Sequence, residues 1–256
     1  MKLLVVNPNI SNDVTTLIAA EAERSKAPET QLTIRTAGFG VEYIETRLES
    51  LLAGTATAEV IAENPGFDAV IVAAFGDPGM PALKELCDAP VIGITEAALA
   101  AASLLGSRIS IIAISPRITP WYRDCVESYG YASRLTSIHS LSDPLNSIGS
   151  VQQEFGQKLV ELAHLAVERD GADAIVLAGA PLAGLARQVK DQIPVPVVDG
   201  ISAGVKLTEA IVALDNNPHR ASSYGPPPVK VRGGLSTALD EQIARRQSTI
   251  YSEGEA

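Results

Sequence analysis

Short runs of Val, Ile, Leu and Ala alternate along the chain with longer segments in which apolar residues recur at helical spacing. The strand-like runs are residues 3–6, 31–36, 69–73, 91–94, 109–114, 135–139, 174–177 and 197–198. Several are continuously apolar rather than alternating, the pattern of parallel strands covered on both faces. Between them, residues 14–25, 45–63, 95–105, 154–169 and 203–214 read as helices. Strand–helix alternation of this kind predicts right-handed βαβ units in a doubly wound α/β architecture.

The pattern also repeats within the chain. Asp68-Ala69-Val70-Ile71-Val72-Ala73-Ala74 matches Asp173-Ala174-Ile175-Val176-Leu177-Ala178-Gly179 at an offset of 105. Pro90-Val91-Ile92 matches Pro196-Val197-Val198 at 106, and the run ending Asn7-Pro8 resembles the one ending Ser115-Pro116 at 108. The expected fold is therefore α/β, with two pseudo-symmetric Rossmann-like lobes of parallel strands and a cleft between them. The lobes fall at residues 1–105 and 106–215, with the last core helix able to cross back to the first. Ligands of open α/β sheets bind beyond the carboxyl ends of the strands.

After Leu214 the character changes. Asn216-Asn217-Pro218, Pro226-Pro227-Pro228 and Gly233-Gly234 mark 216–256 as a Pro/Gly-rich tail. A short helix is expected there from Thr237 to about Arg246, with Thr237 as N-cap. The tail packs on its own body or on a neighbouring subunit.

Composition narrows the function. The chain has 256 residues, 46% hydrophobic and 20% charged, enough apolar material for a full core. Thirty acidic against 20 basic residues give a net charge of −10, which argues against nucleic acid as partner. No apolar run reaches membrane-span length, and the first strand begins too close to Pro8 for a signal peptide. A cytoplasmic protein with no membrane partner is expected. Cys87 and Cys125 are too few for a disulfide framework or zinc cluster, and no metal site is expected. Both read as structural.

Polar groups that can meet a small molecule cluster in the strand-end loops. Asn9 and Ser11 follow the first strand; they either hold a carbonyl or carboxylate oxygen or simply form a turn and N-cap. Ser115, Arg117 and Thr119 are their repeat mates. Phe75, Gly76 and Asp77 follow the third strand, and Ala180 and Pro181 follow its counterpart; small residues there let a ligand approach the backbone. Asp77, Glu96, Glu45, Asp199 and His139 are the candidate proton carriers, with turn formation and helix capping as the bland alternatives for the acids. No GxGxxG, Walker A or GxSxG motif occurs.

Together, Val6-Asn7-Pro8-Asn9-Ile10-Ser11, Phe75-Gly76-Asp77-Pro78-Gly79, Pro90 to Ala98 and Val197 to Ala203 resemble the hydantoin and allantoin racemase branch of the aspartate/glutamate racemase superfamily. The resemblance covers nearly all of residues 1–215. It implies two pseudo-symmetric lobes, no cofactor and a homo-oligomer. It also implies one cysteine per lobe, on opposite faces of a carbon acid. Those two positions carry Ala74 and Gly179 in this chain. The expected function is an isomerase-like reaction on a small hydantoin- or amino-acid-like carbon acid by a non-cysteine mechanism. A lyase or hydrolase using the same pocket, or a homologue that only binds a small carbonyl or carboxylate ligand, is the alternative.

Overall fold

The computed structural model describes residues 1–142, 147–214 and 222–251. Residues 216–221 of the tail, with His219, and residues 252–256 lie outside them.

The first half runs β1 (Lys2–Asn7), α1 (Asn12–Ser25), β2 (Gln31–Thr36), α2 (Arg47–Glu63), β3 (Ala69–Val72), α3 (Met80–Leu86), β4 (Val91–Gly93) and α4 (Ile94–Leu105). The second runs β5 (Ile109–Ala113), α5 (Thr119–Ser128), β6 (Leu135–Ser140), α6 (Val151–Glu168), β7 (Ala174–Leu177), α7 (Leu185–Val189), β8 (Val197–Asp199) and α8 (Gly200–Ala213). Each half contributes a four-stranded, wholly parallel sheet, in the orders β2-β1-β3-β4 and β6-β5-β7-β8. β3 and β7 are buried at every position, which is why they read as unbroken apolar runs.

The repeated residues perform the same task in each half. Asp68 accepts a hydrogen bond from the Lys2 backbone N–H at 2.7 Å, fastening the start of β1. Asp173 accepts from the N–H groups of Ser107 and Arg108 at 3.1 and 2.9 Å, fastening the start of β5. The carbonyls of Pro90 and Pro196 each accept the first ladder bond of the neighbouring strand, from Val70 and Ile175, both at 2.9 Å.

The closing helices exchange partners. α4 packs against β7 and β8, while α8 packs against β3, α1 and α4. Their starts meet at Gly200, where a Cβ would stand 2.9 Å from Ile94 Cβ. Only a glycine allows that approach.

Several boundaries differ from the sequence reading: α6 and α8 each begin three residues earlier than expected, at Val151 and Gly200, and the tail helix runs on to Tyr251. α2 begins at Arg47 rather than at residue 45, because Thr46 and Glu49 form a capping box: Thr46 Oγ1 accepts from Glu49 N at 3.2 Å and Glu49 Oε2 from Thr46 N at 2.9 Å. That leaves Glu45 in the preceding loop. The tail helix α9 (Thr237–Tyr251) is capped by Ser236, not Thr237, through the Leu239 N–H at 3.1 Å. α3 and α7, of 7 and 5 residues, are too short to show a helical period, and glycines with positive φ, Gly79 and Gly184, introduce them.

The described part of the tail lies on its own body, against α2 and α3. Its anchor is Arg246, 1% exposed, whose guanidinium donates to the Glu85 carbonyl at 2.9 Å, the Tyr224 carbonyl at 2.9 Å and the Asp88 carboxylate. Arg246→Ala strands all three acceptors. It is expected to destabilise the fold by about 3 kcal/mol in urea titration; a loss within 0.5 kcal/mol, about that of an ordinary surface change, would show that the tail is not held there.

Candidate active site

The loop after β1 is locked by its own side chains. Asn7 is fully buried, and its Nδ2 donates to Asn9 Oδ1 at 2.9 Å, the Ser11 carbonyl at 3.1 Å and Thr15 Oγ1 at 2.9 Å. Asn9 Oδ1 also accepts from Ser11 N at 2.9 Å, and Ser11 Oγ caps α1 through Val14 N at 3.4 Å. Asn9 is nearly buried, and among the described residues its Nδ2 makes no hydrogen bond. Ser11 is thus occupied as an N-cap, whereas Asn9 retains a donor. The loop after β2, residues 37–46, is tied alongside by Ile10 N donating to the Val41 carbonyl at 3.1 Å.

The loop after β3 turns on Asp77, which adopts φ 45°, a left-handed conformation uncommon outside glycine. Its Oδ1 accepts from Thr95 N and its Oδ2 from Glu96 N, both at 2.9 Å, so it caps α4 from a distance. The Tyr129 hydroxyl donates to the same Oδ2 at 2.8 Å. Gly93 occupies the N-cap position itself, and any Cβ there would overlap the Asp77 carboxyl. Thr95 Oγ1 returns the contact by accepting from Gly76 N at 2.6 Å. Gly76, at φ 100°, leaves the space that the Trp121 ring fills from α5. Ala74 and Phe75 are buried beside it.

Other predicted carriers hold structure in place. Glu96 accepts from Gly93 N at 3.0 Å and pairs with Lys84 Nζ at 2.7 Å. Asp199 caps α8, accepting from Ile201 N at 3.0 Å, Ser202 N at 2.9 Å and Ser202 Oγ at 2.7 Å. His139 contacts Asp170 through Nε2 at 2.6 Å. Asp170 follows α6 and its carbonyl accepts from Arg108, at the amino end of β5, so His139 is drawn toward the end of the sheet opposite the loops. Glu45 differs from these. Its backbone N–H is bound to Glu49 Oε2 at 2.8 Å, but among the described residues no hydrogen bond or ion pair engages its carboxylate.

In the second half, Ser115 accepts from Arg117 N at 3.2 Å, the Arg117 side chain is exposed and half-buried Thr119 opens α5. Gly179 has φ 118° and a Cβ there would meet only Pro181 Cδ, at 3.5 Å. Its space is open; its backbone is not one that other residues readily adopt. Ala180 and Pro181 are buried, and Gln152 Nε2 holds the Pro181 carbonyl at 2.8 Å.

The sequence reading missed an aromatic group contributed mainly by α5. The ring centroids of Phe75 and Tyr122 lie 4.7 Å apart, and those of Trp121 and Tyr122 5.6 Å. Cys125, one turn on, donates its thiol to the Gly76 carbonyl at 3.4 Å, so this cysteine lies against the loop after β3. Burial, with the charges of Asp77 and Asp124, pushes that thiol up to about 12 and keeps it protonated. Tyr43, on the loop after β2, is electrostatically coupled to Tyr122.

The Asp/Glu/hydantoin racemase family model matches residues 3–208. A hydantoin racemase of Paenarthrobacter aurescens is 35% identical over 234 residues, spanning 90% of this chain and 99% of its own. The solved structure of allantoin racemase from Klebsiella pneumoniae shares 33% identity and a TM-score of 0.88, over 93% of this chain and 98% of its own. That of allantoin racemase from Pseudomonas fluorescens shares 34% and 0.84, over 91% and 100%. The chain belongs to the Asp/Glu/hydantoin racemase family. It is an isomerase-type enzyme, and its two parallel sheets are the family fold.

Within this racemase-family fold, burial raises the Asp77 carboxyl to about 6, against the lowering pull of its two backbone N–H donors and Tyr129. A carboxyl raised in the fold favours the protonated form. Its contribution to stability is therefore full below the ordinary carboxylate range and is lost as pH rises through about 6. Relative to Asp77→Asn, which does not titrate, the native chain should lose on the order of 2 kcal/mol between pH 4 and 7. Urea titrations across that range that give parallel curves for the two proteins would exclude this.

Proposed function

We propose that the chain is a cofactor-independent isomerase of a small, neutral, hydantoin-like carbon acid, with Glu45 rather than a thiol as its proton acceptor. The observation that carries this is the contrast among the acids: Asp77, Glu96 and Asp199 are consumed by helix capping, while the Glu45 carboxylate has no partner among the described residues. Its charge adds to the upward shift of both the Tyr43 and Tyr122 phenols, after burial, which supports a position near them. Ala74 and Gly179, which the family resemblance aligns with thiols, have nothing to ionise.

In this reading the C–H bond of the carbon acid breaks, its electron pair moves onto the adjacent carbonyl oxygen, and the proton passes to Glu45. Asn9 Nδ2 is the side-chain donor available to that oxygen, a role electrostatic preorganisation rewards. A proton from solvent water, delivered to the other face as the carbonyl re-forms, completes the inversion, and Glu45 releases the proton it took back to solvent. Glu45, Glu49 and Asp77 make the surroundings negative, which favours an uncharged ring over a free carboxylate.

Loss of the C5–H signal of 5-methylhydantoin in D2O, with decay of optical rotation, is the expected activity. Glu45→Gln should slow it by about 10²- to 10⁴-fold. An unchanged rate would remove Glu45 from the mechanism. No exchange in any 5-substituted hydantoin would instead favour the ligand-binding alternative. A second test restores the thiols. Ala74→Cys with Gly179→Cys should add racemisation, but the positive φ at 179 makes Gly179→Cys cost about 1–3 kcal/mol, visible as a lowered melting temperature. A thermally neutral Gly179→Cys would contradict the conformational argument.

A further inference from the structure

Two buried side-chain oxygens lack a partner among the described residues: Tyr43 Oη and Thr208 Oγ1. Thr208 lies within α8, where a change of side-chain rotamer is enough to bring its hydroxyl to the carbonyl of the preceding turn. Tyr43 has no such local remedy. It stands in the loop after β2, its ring packed against the core and its hydroxyl turned inward. A buried hydroxyl without an acceptor costs stability, and such groups are rare unless something else meets them.

The loop does not drift there by default. Ala37 N donates to the Asn7 carbonyl at 2.9 Å, Ile10 N to the Val41 carbonyl at 3.1 Å, and the Thr46–Glu49 capping box closes the far end. The loop is thus fastened on both sides of Tyr43, and partly to the segment that carries Asn9. Tyr122 meets Phe75, the neighbour of Ala74, with the two ring planes tilted by 55°. The Tyr43 ring packs against the same buried cluster that holds Phe75 and Tyr122.

We infer that the Tyr43 hydroxyl is a ligand-binding donor that takes an uncharged carbonyl oxygen, and that it sets a preference for cyclic amides over carboxylates. Burial, then the neighbouring Tyr122, Glu45 and Glu49, hold the phenol well above its ordinary range, so it donates and never accepts a charge-bearing proton role. The same two glutamates repel a carboxylate at that point. The choice of a cyclic amide rests on the function proposed above; the orphan hydroxyl does not.

Tyr43→Phe separates the possibilities. In the ligand-free protein it should leave the melting temperature unchanged or raise it, because an unsatisfied polar atom is removed. By calorimetric titration it should weaken 5-methylhydantoin binding about tenfold, the loss of one hydrogen bond. Binding of the ring-opened carboxylate N-carbamoylalanine should be weak in both proteins and unaltered. A lowered melting temperature, or an unchanged affinity for 5-methylhydantoin, overturns the assignment. If the native protein binds no 5-methylhydantoin, the substrate class fails first. Succinimide, a bare cyclic carbonyl probe, then decides for Tyr43: tenfold weaker binding to Tyr43→Phe upholds the assignment, and no Tyr43-dependent binding overturns it.

Discussion

The carboxylate of Asp77 ties together the loop after β3, the first turn of α4 and the residue after α5. It collects the N–H groups of Thr95 and Glu96, in the first turn of α4, and the hydroxyl of Tyr129, which follows α5. Since α4 packs against the second sheet, one side chain fixes the loop after β3, the end of β4 and the seam between the halves. Its neighbours are chosen to fit. Gly93 has no Cβ to collide with it, Gly76 admits Trp121, and Thr95 returns a hydrogen bond to the loop. A left-handed backbone at Asp77 is the strain such a knot sustains, because the surrounding bonds over-determine it.

The two halves share a scaffold and differ where chemistry would occur. Asp68 and Asp173, Pro90 and Pro196, and Gly79 and Gly184 do matching work. At the helices that close each half the devices diverge. α8 is capped by its own Asp199, whereas α4 starts at a glycine and borrows Asp77 from another loop. Capping both helices consumes carboxylates that lie close to the strand-end loops. An acid bound by backbone N–H groups is a poorer candidate for carrying a proton through a reaction, because those donors stabilise its charged form and hold it in one orientation. Glu45 escapes this because Glu49, not Glu45, closes the capping box of α2.

Much of this was legible in the chain. Continuous apolar runs identified the parallel strands, and the repeat identified the paired sheets, because burial on both faces leaves no polar position to blur the signal. Asn9 and the Phe75–Asp77 stretch were visible as strand-end polar groups. Tyr43 and Tyr122 were not, since a tyrosine in a loop or on a helix carries no spacing that distinguishes packing from a polar task. His139 was misleading for a related reason: the strand end is set by sequence, but the direction of the ring is set by Asp170, 31 positions away.

The sequence by itself determined the α/β class, the duplicated scaffold, the family and the lack of ionisable groups at Ala74 and Gly179. These depend on residue type and periodicity, which are local. Only the tertiary structure decided which acids are engaged, that α4 and α8 exchange sheets, that the tail is pinned by Arg246, and that among the described residues the Glu45 carboxylate and the buried Tyr43 hydroxyl have no hydrogen-bond partner. Those outcomes depend on which donors meet which acceptors across distant segments, and no spacing along the chain encodes that.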